Sequence, residues 1–239
     1  FINENLLIQN NLINGAFINK INRILFLGSS CIYPKDINEP IREELLLSGF
    51  LEKTNEAYAI AKIAGLKMCE FYNKQHLTCY RSVMPTNLYG EGDNFDEHNG
   101  HVIPSLIRRF HDAKINQLNE VYVWGSGKPL REFMHVDDMA DACVFVMNLD
   151  DLQYSSALGK NVSHINIGTG QEVTINELAS TIARVVDYKG RILFDDTKPD
   201  GTKRKLLNIK RLSSLGWRSK ITLEHGLLRT YDWFKKQHG

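Results

Sequence analysis

Apolar positions recur along this chain first at helical spacing, then in short continuous runs, and the alternation of the two sets out the expected elements. Residues 3–20 carry Leu6, Leu7, Ile8, Leu12, Ile13, Phe17 and Ile18 at close to helical spacing. A short strand, residues 24–27, follows and breaks at Gly28. Mixed charge with Pro40 and Gly49 predicts a loop over 35–53, with a helical turn near 43–47. Thr54 or Asn55 then caps a helix that runs through Met68 and Phe71 to about residue 74. Residues 78–84 read as a buried strand that ends in a polar loop over 85–90, and 93–100 is acidic and turn-like.

The second half repeats the alternation. A helix starts at 101–104 with Pro104 in its first turn, where a missing N–H does least harm. Residues 120–124 form a strand, 125–127 a turn, and a further helix begins near Asp137 or Asp138, whose carboxylates suit capping and the helix dipole. Residues 148–161 loosen into a linker. A strand at 165–167, a Thr174-capped helix over 175–186, a strand at 191–194 and short helices from 209 onward complete the chain. The basic residues 203–205 read as a solvated run.

Strands separated by helices predict an α/β fold, a Rossmann-like doubly wound parallel sheet with a smaller C-terminal α/β substrate-binding portion. Residues 1–95 are expected to form the remainder of a dinucleotide-binding domain and 96–239 mainly the substrate portion, with 120–150 and 163–170 returning to the sheet. No G-x-G-x-x-G turn for a pyrophosphate occurs, because Gly168 and Gly170 lie late and fail the spacing. Two readings follow: the sequence lacks an N-terminal segment, or the protein does not hold a dinucleotide in this way. On the first, the expected fold is N-terminally truncated, its first strand is unfilled, and the isolated chain is expected to aggregate through an open sheet edge.

Composition narrows the class. With 43% hydrophobic and 24% charged residues and a net charge of +1, the chain reads as a soluble globular protein. Lys and Arg are dispersed, so nucleic acid is not an expected partner. No apolar run reaches the length of a membrane span, and the start carries no secretion signal. Cys31, Cys69, Cys79 and Cys143 are widely spaced, which fits a reduced, cytoplasmic compartment better than disulfides or zinc.

The candidate chemistry lies at two places. Gly28-Ser29-Ser30-Cys31 puts hydroxyls and a thiol at the carboxyl end of a strand, where open α/β sheets bind ligands. Tyr58 and Lys62 stand at i and i+4 on one helix face. An ammonium beside a phenol is expected to lower its pKa and make Tyr58 a proton donor or acceptor near neutral pH. Ser29 or Ser30 can hold a carbonyl against it.

This set resembles the extended short-chain dehydrogenase/reductase superfamily, whose catalytic residues are Ser or Thr, Tyr and Lys. Within it, Gly28-Ser29-Ser30-Cys31-Ile32-Tyr33-Pro34, Tyr58 to Lys62, Pro85-Thr86-Asn87-Leu88-Tyr89-Gly90, His101-Val102-Ile103-Pro104, Trp124 to Gly127, Arg131-Glu132-Phe133, His135 to Asp138 and Lys198-Pro199-Asp200-Gly201 resemble the GDP-L-fucose synthase family over nearly the whole chain. That family begins with a further strand, glycine-rich turn, helix and strand.

The resemblance implies an NADP(H)-dependent enzyme that epimerises GDP-4-keto-6-deoxy-D-mannose at C3 and C5 and reduces it at C4. It implies Ser29, Cys31, Tyr58, Lys62 and His101 as catalytic. It implies Leu27, Gly28, Ser29, Ser30, Lys62, Pro85, Thr86, Asn87, Leu88 and His101 around the cofactor, and Arg109, Trp124, Arg131 and Asp200 around the GDP-sugar. A homodimer through a helix bundle including the Tyr58 helix is the implied assembly. The chemistry agrees, since a C4 ketone acidifies both neighbouring carbons, and epimerisation needs one group to remove a proton and another to return one. Thiol and imidazole both change protonation near neutral pH. Read alone, Cys31 is a small buried hydrophobe and His101 a helix cap. Two other readings stay open: a nucleotide-sugar 4-epimerase or 4,6-dehydratase, and a non-catalytic nucleotide-sugar-binding fragment.

Overall fold

A computed structural model describes residues 1–96, 100–159 and 161–238. The expected turn at 93–100 therefore lies partly outside the described residues, at Glu97, His98 and Asn99. The chain opens with α1 (Ile2–Ile18), β1 (Leu25–Leu27), α2 (Glu56–His76), β2 (Arg81–Pro85) and β3 (Asn87–Tyr89). There follow α3 (Val102–Ile115), β4 (Glu120–Trp124), β5 (Leu130–Arg131), β6 (Phe133–His135), α4 (Val136–Asn148) and α5 (Asp151–Leu158). The chain closes with β7 (Ile165–Ile167), β8 (Val173–Thr174), α6 (Ile175–Val186), β9 (Arg191–Asp195), β10 (Arg204–Lys205), α7 (Lys210–Ser214) and α8 (Leu223–His238).

The chain segregates into two compact units, each assembled from separate stretches: residues 1–86, 139–170 and 207–218 form the first, and 87–138, 171–206 and 219–239 the second. Of the stretches expected to return to the sheet, 139–150 and 163–170 fall in the first unit and 120–138 in the second.

The first unit is built on a parallel sheet in the order β1-β2-β7, with Leu25 opposite Arg81 and Val83 opposite Ile165. Parallel strands buried on both faces read as continuous apolar runs, and Val83, Met84, Ile165 and Ile167 are all fully buried. The helices α1 and α2 pack together beside it, and Gly65 of α2 leaves room for Phe26, whose ring a Cβ would meet at 2.4 Å. Arg81 is 1% exposed at the sheet's centre. Its guanidinium is satisfied by the carbonyls of Val146 and Leu149 and by Asp151, as a buried charge requires.

The second unit holds the parallel pairs β3-β6 and β4-β9 and the small sheet β10-β5-β8, whose β5-β8 pair is antiparallel. Its core gathers Ile103, Ile107 and Phe110 from α3, Leu178 and Ile182 from α6, and Leu227 and Phe234 from α8.

Several expectations need correction. Residues 148–161 are not a linker throughout: Asp150 and Gln153 form a reciprocal capping box and start α5. The loop at 85–90 contains β3, and the basic run at 203–205 contains β10, with Arg204 paired in a bidentate manner to Glu172. Neither Thr54 nor Asn55 caps α2 with its side chain; Glu52 instead caps a short 3-10 turn over Lys53–Asn55 that leads into it. Asp137 and Asp138 do not cap α4 either. His135 Nδ1 accepts the Asp137 N–H, while the buried Asp138 carboxylate takes the N–H groups of Lys220 and Ile221. Asp137 pairs with Arg229.

Candidate active site

The site in the first unit begins where β1 ends. Gly28 donates its N–H to Val83 O at 2.9 Å, and a Cβ there would lie 2.2 Å from Met84 Sδ, so any larger residue would have to displace the Met84 side chain. Ser29 is extended, and its Oγ accepts the Cys31 N–H at 3.2 Å, starting a 3-10 turn over Ser30–Ile32. The Ser29 hydroxyl also hydrogen-bonds the Tyr58 phenol. Asn55 Nδ2 approaches Cys31 Sγ at 4.0 Å. Ser29, Cys31, Tyr58 and Lys62, all half-buried, thus gather at one strand end.

One electrostatic expectation fails. Tyr58 is raised from the ordinary tyrosine value, first by burial and then by the neighbouring Cys31, with the Ser29 hydrogen bond pulling it back in part. Lys62 does not lower it, because its Nζ donates to Leu27 O at 2.9 Å and stands 5.7 Å from the centre of the Tyr58 ring. Burial lowers Lys62 as well. Desolvation disfavours both charged forms, and it outweighs their mutual attraction at that separation. Pro85 and Thr86 end β2 in the same unit, where the Thr86 N–H donates to Ile167 O at 3.0 Å.

The second unit contains its own cavity of about 280 Å³. Leu106, Val123, Phe133 and Ile175 give it an apolar lining, and Asn87, Arg109, Trp124, Arg131 and Asp200 bring the polar and aromatic groups. Four of the four residues expected around the GDP-sugar, Arg109, Trp124, Arg131 and Asp200, therefore line one cavity. Arg109 reaches from α3 to donate to Tyr122 O at 2.7 Å, and its guanidinium lies 5.8 Å from the Trp124 ring. Arg131 is half-buried beside Asp200, and burial lowers its pKa. Asn87 is held by a 2.7 Å bond from its Nδ2 to Glu132 O. Leu88 lies next to it in β3, half-buried.

Asp200 is fixed by Ser126, whose N–H donates at 2.6 Å and whose hydroxyl donates at 2.7 Å to the two carboxylate oxygens. These bonds hold the carboxyl below the usual range. Gly125, at φ +84°, makes the approach possible, since a Cβ would stand 2.5 Å from Asp200 Oδ1. His101 precedes α3 without capping it; its ring is 85% exposed, with Nδ1 4.0 Å from Asp93 Oδ1. Ser126 and Lys198, whose Nζ lies 5.8 Å from the Trp124 ring, were not singled out as site residues by sequence, although both stand inside strings that carry the family resemblance.

A parallel α/β unit with Ser, Tyr and Lys converging on a strand end defines a short-chain dehydrogenase/reductase type of protein. The chain belongs to the NAD dependent epimerase/dehydratase family, whose model matches residues 1–168. Within that family it falls with the GDP-L-fucose synthases. It is 58% identical over 234 residues to the GDP-L-fucose synthase of Escherichia coli, which takes in 98% of this chain and 73% of that protein. Among solved structures, a GDP-D-glycero-L-gluco-heptose synthase from Campylobacter jejuni, determined in the presence of NADPH, is 35% identical with a TM-score of 0.87, covering 99% of this chain and 76% of that one. A GDP-L-fucose synthetase from Naegleria fowleri bound to NADP is 28% identical with a TM-score of 0.87, covering 98% and 72%.

Proposed function

We propose that the protein converts GDP-4-keto-6-deoxy-D-mannose to GDP-L-fucose, epimerising C3 and C5 and then reducing C4 with NADPH. The observation that carries this reading is the convergence of Ser29, Tyr58 and Lys62 with Cys31 at one strand end. Kinship with the Escherichia coli GDP-L-fucose synthase supports the substrate and both steps, and the NADP-bound relative supports the cofactor.

In epimerisation, Cys31 and His101 are the two proton carriers. One thiolate or imidazole takes the proton from the carbon next to the ketone, and the other returns a proton to the opposite face. Ser29 and Tyr58 donate hydrogen bonds to the C4 oxygen, stabilising the enolate that forms between the two events. The raised pKa of Tyr58 keeps the phenol protonated until that oxygen bears charge. In the reduction Tyr58 gives its proton to the same oxygen, while Lys62 is held at the same strand end by its bond to Leu27 O. The hydride to C4 would come from bound NADPH. The donor set fits its nicotinamide ribose end: the Lys62 ammonium and the Tyr58 hydroxyl would hold a sugar's hydroxyls, Gly28, Ser30, Pro85 and Thr86 would lie beside them, and the family resemblance adds Asn87 and Leu88. Arg109 and Arg131 bind the diphosphate, for which a guanidinium fork is matched, Trp124 packs on a ring, and Asp200 accepts from hydroxyl or amino groups of the nucleotide.

The test is NADPH consumption with GDP-4-keto-6-deoxy-D-mannose, with the product separated by chromatography. GDP-L-fucose formed in step with NADPH oxidised is the expected outcome; an enzyme that binds the GDP-sugar and leaves NADPH untouched would refute the reading. The assembly we assign is a homodimer joined through α1 and α2, which leave Leu7, Ile8 and Leu12, and Ile60 and Phe71, exposed. Sedimentation at micromolar concentration is expected to show a dimer, and a monomer there would rule this out. The localisation we assign is cytoplasmic, a reading the four unpaired cysteines support and fractionation checks; among the described residues no helix is long and apolar enough to cross a membrane.

A further inference from the structure

Beyond Cys31 the chain buries a phenol. Tyr33 is 3% exposed and follows Ile32, which is fully buried, so the turn that carries Ser29 and Cys31 is tied to the interior of the first unit by these side chains. The Tyr33 hydroxyl donates to Asn166 Oδ1 at 2.6 Å and lies 2.8 Å from His164 Nε2. A phenol has one hydrogen to give. With that hydrogen on Asn166, the second contact requires His164 to donate from Nε2, which leaves Nδ1 as the ring's acceptor. Nδ1 is the ring atom that is buried without a hydrogen-bond partner, and a neutral ring protonated on Nε2 therefore accounts for both nitrogens.

Asn166 is held in turn. Its Nδ2 donates to Ile41 O at 2.9 Å and to Asn208 O at 3.3 Å, which fixes the orientation of the amide and leaves Oδ1 for Tyr33. Its backbone N–H, on the side of β7 away from β2, donates to Glu43 Oε1 at 3.0 Å. Arg211 Nε meets Glu43 Oε2 at 3.2 Å and its Nη1 reaches Leu158 O at 2.8 Å. Tyr33, Asn166, Glu43 and Arg211 form one chain of directional bonds through the interior of the unit, and such a network, once satisfied, specifies a single geometry.

Burial of an aromatic ring at position 33 needs only a ring, and phenylalanine would serve. The hydroxyl adds direction: it fixes how the turn leaves β1 and therefore where Cys31 stands. We propose that Tyr33 is a positioning residue for the proton transfers, its bonds to Asn166 and His164, anchored by Glu43 and Arg211, holding the turn that presents Cys31. This rests on the functional reading above, in which Cys31 carries a proton.

The test compares Tyr33→Phe with the wild-type full-length enzyme by deuterium incorporation from heavy water at C3 and C5 of the GDP-sugar. Exchange per folded molecule is expected to fall about tenfold, since small misplacements of a reacting group cost that much or more. The KM for the GDP-sugar is expected to stay within about twofold, because the nucleotide is held by other residues. A larger isotope effect with substrate deuterated at C5 would accompany the loss, as proton transfer becomes slower than the steps around it. Should Tyr33→Phe not fold, His164 decides: His164→Leu, which leaves Tyr33 in place and removes one bond, is expected to slow exchange, and His164→Gln, which restores an N–H donor, to recover it. Exchange at the wild-type rate in Tyr33→Phe, equal exchange in both His164 variants, or KM rising in step with the loss of exchange would overturn the inference. A wild type that turns over no GDP-sugar would instead overturn the functional reading, and the inference with it.

Discussion

The residue that separates epimerisation from simple ketone reduction is Cys31. Ser29, Tyr58 and Lys62 suffice for moving a proton to a reduced carbonyl oxygen, but inverting a carbon needs groups that trade protons with carbon itself. Cys31 stands in the turn that Ser29 opens, its N–H on Ser29 Oγ and its sulfur beside Asn55. Replacing it by serine keeps the turn's size and backbone bond and exchanges the thiol for a hydroxyl, a much weaker acid and base toward carbon. Cys31→Ser is expected to lower deuterium exchange at C3 and C5 by at least about a hundredfold and to leave GDP-sugar binding unchanged, as read by NMR and by calorimetry. Unchanged exchange in that variant would take the thiol out of the mechanism. Sequence made this thiol, Tyr58 and Lys62 legible because they are close in the chain or lie in specific strings. Ser126 and Tyr33 were not assigned roles, because each acts through a partner far along the chain, Asp200 for one and Asn166 for the other, and neither spacing nor period reports such pairs.

At the scale of elements, what could be read followed from whether an element carries its own signal. α2, α3 and α6 are long enough to repeat an apolar face, and Thr174 with Glu177 announced the start of α6. β3 and β10 have 3 and 2 residues and exist because β6 and β5 lie beside them, so no local pattern could show them. α5 did carry a signal, the capping pair Asp150 and Gln153, that its weak apolar face hid. The α6 cap gives a measurable case. The Thr174 hydroxyl accepts the Glu177 N–H at 3.1 Å, and Glu177 Oε2 accepts from the Thr174 N–H at 2.7 Å. Thr174→Ala removes half of this box and is expected to cost about 1 kcal/mol in urea unfolding. Thr181, inside the same helix, bonds the Glu177 carbonyl at 2.9 Å, but that carbonyl already serves the helix, so Thr181→Ala is expected to change stability by less than about 0.5 kcal/mol. Equal losses in the two variants would show that the cap contributes nothing of its own.

For the whole molecule, the buried groups set how stability responds to acid. Burial lowers His164 to about 4 from the 6.5 of an unperturbed imidazole, so the unfolded chain binds a proton here that the folded chain refuses across that window. Stability is then complete above about pH 6.5 and is lost as pH falls toward 4, by up to about 3 kcal/mol for a group this deeply buried. Glu70, drawn down to about 2 against the pull of burial by Lys67, Lys74 and Ser163, has its own window: its contribution is present above about pH 4.5 and is lost between there and 2. Glu43 runs the other way. Burial raises its pKa, so the folded state holds its proton more tightly, and stability falls as pH rises through the range just above 4.5, blunting the His164 slope there. Melting temperature followed from pH 7 to pH 3 is therefore expected to decline first below about 6.5 and again below about 4.5. His164→Gln places an uncharged donor at the same site and is expected to remove the first decline while leaving the second, since Glu70 keeps its two lysines. A first decline of the same size in His164→Gln would mean that another group, not this imidazole, governs the molecule's response to mild acid.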